Sequence, residues 1–181
     1  MPITLRNNTS YIAQYVVKKG DLVIARLPGI APGALMVIPT ENTYEIVAST
    51  LIDGNTYISA PNAVTRSASF LAQILQVPSQ GTYVFDVQVG ASLTPNQLSF
   101  QSTCINPVTF TITKDGRPLQ SVVANDPFIE QTLDLSDTFH IYAVINGVTT
   151  ETLTTDNANA VVTAETSSSD LEAGYFTLSV A

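Results

Sequence analysis

A chain of 181 residues has room for one large domain or two small ones, and 45% hydrophobic against only 12% charged residues excludes a disordered polymer. The net charge of −8 excludes the basic stripe that nucleic-acid binding needs and disfavours docking to an anionic membrane. Residues 1–90 balance five basic with five acidic side chains, whereas residues 91–181 set Lys114 and Arg117 against ten carboxylates, so the excess charge lies in the second half.

The chain enters a strand-like pattern at once with Met1-Pro2-Ile3-Thr4-Leu5-Arg6. It has no basic segment followed by an apolar one, so no secretory signal is expected, and no apolar run reaches the ~18 residues of a membrane span. A cytoplasmic location is the default expectation, with export by a specialised route left open. The overlapping sequons at Asn7-Asn8-Thr9-Ser10 read as turn chemistry. Tyr15–Lys19 is a strand, closed by the turn Lys19-Gly20-Asp21.

Residues 27–39, LPGIAPGALMVIP, are the least ordinary stretch. Two Pro-Gly pairs mark turns, yet the positions between them are apolar. Ile30, Leu35 and Met36, where exposed, are candidates to contact a partner or the other unit. The plainer alternative is a loop folded over one end of a sandwich, with Leu35 and Val37 entering a strand. Tyr44–Ala48 alternates as a half-buried strand, and Asp53-Gly54 marks the next turn. Residues 69–75, SFLAQIL, fit a helix or a buried strand. The β-rich counterpart Ala160-Val161-Val162-Thr163-Ala164 decides for strand.

After a polar stretch at residues 91–97, the pattern starts again. A shift of 95 residues sets Thr4-Leu5 on Ser99-Phe100, Tyr15–Lys19 on Phe110–Lys114, and Thr43–Ala48 on Thr138–Ala143. A shift of 93 sets Gly54 on Gly147 and Gly81–Val87 on Gly174–Val180. Strand faces alternate, so the repeated positions predict a core: Leu5/Phe100, Tyr15/Phe110, Val17/Ile112, Tyr44/Phe139, Ile46/Ile141, Ala48/Ala143, Tyr83/Phe176 and Phe85/Leu178. Asp115-Gly116 and Asn146-Gly147 suit tight hairpins. The expected fold is all-β: two tandem immunoglobulin-like (Greek-key) β-sandwich units related by internal duplication. Residues 1–90 form the first, neutral unit, 91–97 the linker, and 98–181 the second, acidic unit.

Few residues carry chemistry. His140 is the single histidine, but it sits mid-strand where the first copy has Glu45, so an outward polar position explains it. Cys104, the single cysteine, has no base suggested beside it and reads as a passive thiol; Thr9 holds its place in the first copy. Asp134 and Asp137 lie close in sequence, as acidic pairs in small domains often do. Asp156-Asn157-Ala158-Asn159 is oxygen-rich, but Asx turns form without metal, and no metal or cofactor is expected. Nucleotide-binding, serine-hydrolase and zinc motifs are absent from the sequence.

The balance is against an enzyme. The leading expectation is a non-catalytic binding or interaction protein with a protein or glycan ligand, and Ile30, Leu35, Met36, Asp156, Asn157 and Asn159 as candidate contacts. Tyr11, Tyr15 and Tyr57 suit a sugar, although the lack of tryptophan weakens that version. The alternatives are a toxin-like membrane-acting β-protein and a small enzyme with a pocket between the units. Self-association is left open.

Overall fold

The computed structural model describes residues 1–41, 43–64, 67–167 and 175–181, and all their helix-or-strand elements are strands. The first nine are β1 (Pro2–Asn7), β2 (Ala13–Lys19), β3 (Leu22–Arg26), β4 (Leu35–Pro39), β5 (Tyr44–Ile52), β6 (Asn55–Ile58), β7 (Asn62–Val64), β8 (Ala68–Val77) and β9 (Thr82–Gly90). The second nine are β10 (Gln97–Ser102), β11 (Val108–Lys114), β12 (Arg117–Ala124), β13 (Gln131–Asp134), β14 (Phe139–Ile145), β15 (Val148–Thr149), β16 (Leu153–Thr155), β17 (Val161–Thr166) and β18 (Phe176–Val180). β-Branched and aromatic residues fit the pleated backbone, and their alternation chooses the inward face. In β14, Phe139, Ile141, Ala143 and Ile145 are buried, with half-buried residues between them. Asp53-Gly54, Asp115-Gly116 and Asn146-Gly147 all have φ between 50° and 79°. Positive φ at both central residues is the turn that matches strand twist, and it closes β5–β6, β11–β12 and β14–β15.

The strands form two compact units that do not follow the two halves of the sequence. Unit 1 is Met1–Glu41 together with Ser136–Ala181, and unit 2 is Asn42–Leu135. The expected units 1–90 and 98–181 are therefore not the ones that pack. Of residues 91–97, expected to separate them, 91–96 connect β9 to β10 inside unit 2 and Gln97 begins β10. The reason lies in long-range pairing. β1 pairs in parallel with β17 and β2 antiparallel with β14, while β10 pairs in parallel with β8 and β11 antiparallel with β5.

Unit 1 contains the sheets β18-β17-β1-β4 and β15-β14-β2-β3, with β16 also on β14. Unit 2 contains β9-β8-β10-β13 and β6-β5-β11-β12, with β7 also on β5. Strand by strand, the two plans are the same. Registers agree as well: Leu5 opposes Val162 as Phe100 opposes Phe70, and Val17 opposes Ile141 as Ile112 opposes Ile46. Even the irregularity between Val17 and Lys18 recurs between Ile112 and Thr113.

Within each unit the inward faces of its two sheets meet. The Tyr15 hydroxyl on β2 donates to the Arg6 carbonyl on β1 at 2.7 Å. In unit 2 the Phe110 ring lies 5.0 Å from Phe100, which stacks on Phe70 at 5.5 Å. Six of the eight expected core pairs, from Leu5/Phe100 to Ala48/Ala143, are buried on both sides. The last two need correction. Phe70 opposes Val89 and Val162 opposes Val180, so Phe85, not Tyr83, stands where Phe176 does. Tyr83 is 57% exposed, and the match of Gly81 with Gly174 lies outside the described residues.

The charge asymmetry between the halves also disappears in the folded units. Unit 1 holds four basic and eight acidic residues, and unit 2 holds three basic and seven acidic, so each carries −4. Arg66, Asp170 and Glu172, counted here from the sequence, lie outside the described residues. No helix among the described residues is long and apolar enough to cross a membrane.

Candidate functional site

The sequence candidates separate once folded. Ile30, a proposed exposed contact, is only 3% exposed: its backbone bridges Ala13, and its carbonyl also accepts from the Asn7 side chain. It is a core residue and leaves the site. Leu35 and Met36 lie on β4, at the edge of its sheet, and are 54% and 38% exposed. Their backbone follows the plainer expectation by pairing with β1.

Asp156, Asn157 and Asn159 form a self-bonded turn. Thr138 Oγ1 donates to Asp156 Oδ1 at 2.9 Å, and the Asn159 amide donates to Asn157 Oδ1 at 2.9 Å. Among the described residues no group of three or more His, Cys, Asp or Glu side chains is placed to hold a metal ion. Asp134 and Asp137 fall in different units, and Asp137 meets the buried ammonium of Lys19 at 2.9 Å. His140 Nδ1 lies 3.1 Å from Thr154 Oγ1 on the neighbouring strand, so the position is polar and mid-sheet.

The arrangement most able to take a ligand is a groove in unit 2, of about 400 Å³, with Tyr57, Ile74, Tyr83, Cys104, Ile105 and Asn106 in its lining. That volume is within the range of small-molecule sites. Three elements build it. The β5–β6 hairpin brings Tyr57 opposite Thr50. The β8–β9 ribbon continues past the end of β10, which pairs β8 only as far as Ala72, and carries Ile74 and Tyr83. The loop from β10 to β11 supplies Cys104, Ile105 and Asn106.

That loop is tied down on both sides. The Thr103 amide donates to Ala72 O, Asn106 Nδ2 donates to Leu51 O at 3.0 Å, and Thr50 Oγ1 donates to Pro107 O at 2.9 Å. Cys104 is buried, with Sγ 4.0 Å from Ala72 O, and forms part of the wall. Ile105 is 89% exposed at the rim, and Asp53 and Thr103 complete the lining with polar groups. An apolar wall with two phenols and a few convergent polar groups suits a ligand with one apolar face and several hydroxyls.

Unit 1 differs at the same place. In the repeat register Asn106 corresponds to Tyr11, whose ring lies edge-on to Phe176 at 5.8 Å. A second groove, of about 710 Å³, runs between residues 149–153 and 175–178 of unit 1. Its wall at Tyr175 begins directly after residues 168–174, which lie outside the described residues.

Sequence reasoning missed the groove because Tyr83 was assigned to the core and Cys104 was read as a passive thiol. It also missed Phe128. This residue stands where unit 1 has Gly33, and both have positive φ, 68° and 76°. Both backbone amides make the same bond, Gly33 to Asn7 O and Phe128 to Ser102 O. Phe128 is nevertheless 74% exposed. No known family, curated protein or solved structure matches the chain.

Proposed function

We propose that the chain is a non-catalytic binding protein built from two immunoglobulin-like β-sandwich modules that arose by internal duplication, and that its ligand site is the groove of unit 2. The recurrence of every strand pairing, of the registers and of one bulge supports the duplication. The observation that carries the binding reading is the groove itself: Tyr57 and Tyr83 face a loop stapled to two strands, with Asp53, Thr103 and Asn106 beside them. The pre-organised wall lowers the ordering cost of binding. The ligand class is a saccharide: ring C–H faces pack on the phenols while the hydroxyls meet the polar rim.

A glycan array, followed by titration of the best ligand against intrinsic tyrosine fluorescence, tests this. Tyr57→Ala and Tyr83→Ala are each expected to weaken binding about tenfold, which is about 1.4 kcal/mol, with circular dichroism unchanged. Silence across the array, or binding that neither substitution moves, overturns the reading.

A further inference from the structure

Unit 1 is assembled from residues 1–41 and 136–181, two segments that the chain joins only by way of unit 2. The N-terminal half, residues 1–41, contributes β1 to β4, and the C-terminal half, residues 136–181, contributes β14 to β18. What joins them is the parallel pairing of β1 with β17, the antiparallel pairing of β2 with all of β14, the Gly20 amide to Thr138 O bond and the Lys19–Asp137 ion pair. Only two four-residue links, 40–43 and 135–138, lead from these halves into unit 2. Unit 2 is continuous and uses none of these pairings.

We propose that residues 1–41 are an exchangeable half-unit through which copies of this chain assemble, residues 1–41 of one copy completing residues 136–181 of the next. The occupant is a second copy because the interface prescribes it. When residues 1–41 leave, Ile141, Ala143 and Val162 lose the cover of Tyr15, Val17 and Leu5, all of them buried in the closed chain. The surface so opened is complementary, residue by residue, to this segment, and every bond named above is available between chains as within one. Exchange of identical elements across short hinges needs no new interface. Two copies exchanging reciprocally close a two-fold dimer, and one-way exchange continues into a head-to-tail chain.

Within one chain the short links hold the halves at a high effective concentration, of the order of millimolar, so the closed monomer prevails in dilute solution. Exchanged species form when unit 1 reopens at high protein concentration, and they persist because reversal requires unfolding it again.

The test uses the full chain. Wild-type protein is unfolded and refolded at increasing concentration, and its mass is measured by light scattering after dilution. In parallel, a Cys104→Ala chain carrying Thr4→Cys and Val161→Cys, which oppose each other between β1 and β17, is refolded in the same way and then oxidised. The expected result is a mass of two or more chains whose share rises with refolding concentration, together with disulfide-linked chains in the same proportion on a non-reducing gel. A mass that stays at one chain at every concentration overturns the proposal. So does a larger mass without bridges between chains, because association then leaves the β1–β17 pairing within each copy.

Discussion

Tyr15 and Tyr44 show how one core plan tolerates a hydroxyl in two different ways. Their counterparts in the repeat register, Phe110 and Phe139, keep the ring and lack the oxygen. Tyr15 donates to the Arg6 carbonyl, whereas the buried Tyr44 hydroxyl has no hydrogen-bond partner among the described residues. An unpaired buried hydroxyl carries a desolvation cost, so Tyr44→Phe is expected to leave stability unchanged or raise it by about 1 kcal/mol. Tyr15→Phe gives up the bond to the Arg6 carbonyl and is expected to cost about 1 kcal/mol, both measured by denaturant unfolding. Burial raises the pKa of both phenols, that of Tyr44 to about 12. The tyrosines of the unfolded chain lose their protons near pH 10, while the folded chain still holds these two. The unfolded state therefore releases protons first, so these groups leave stability unchanged below pH 10 and lower it as the pH rises from 10 to 12. Unfolding midpoints across that range should fall less steeply in Tyr44→Phe.

Loops and ribbons carry the divergence between two equivalent sets of strands. Phe128 occupies a left-handed position that its unit 1 counterpart fills with Gly33, and a bulky residue there costs about 1–2 kcal/mol. Phe128→Gly is expected to raise the stability of unit 2 by about 1 kcal/mol, after glycine's own entropy is subtracted, and Gly33→Ala to lower that of unit 1 by about as much. Thermal unfolding of each variant checks the pair. The groove depends on a loop residue in the same way. Giving unit 2 the side chain of Tyr11, through Asn106→Tyr, is expected to fill the groove and reduce ligand binding tenfold or more. Tyrosine there also loses the bond to Leu51 O, worth about 1 kcal/mol, so the variant should still fold.

The intertwined path of the chain has a mechanical consequence. Residues 91–96 are a loop within unit 2, and Leu93 is fully exposed there. A protease site placed at Leu93 is expected to yield two fragments that co-elute under native conditions and part only in denaturant, because each unit contains strands from both. Fragments that separate in native buffer would contradict the pairing of β1 with β17 and of β8 with β10. The even charge of −4 per unit belongs to the same topology: the exchange of halves averages a difference that is plain along the sequence.

Strand positions, inward faces and hairpin turns were legible in the sequence because they depend on neighbours a few residues apart. Alternation in Phe139–Ile145 and positive φ at Asp53-Gly54 need no distant partner. The repeated pattern was legible for the same reason. Only the tertiary structure decided which copy of each strand pairs with which. β1 and β10 present nearly equivalent edges, so local pattern cannot say whether β8 or β17 takes β1. The same limit hid the groove, which needs Tyr57, Tyr83 and Asn106 from three separate elements, and it misplaced Ile30, whose burial comes from a bridge to Ala13. Local stereochemistry specified the strands; the choice among equivalent long-range partners made the two units and formed the groove in unit 2.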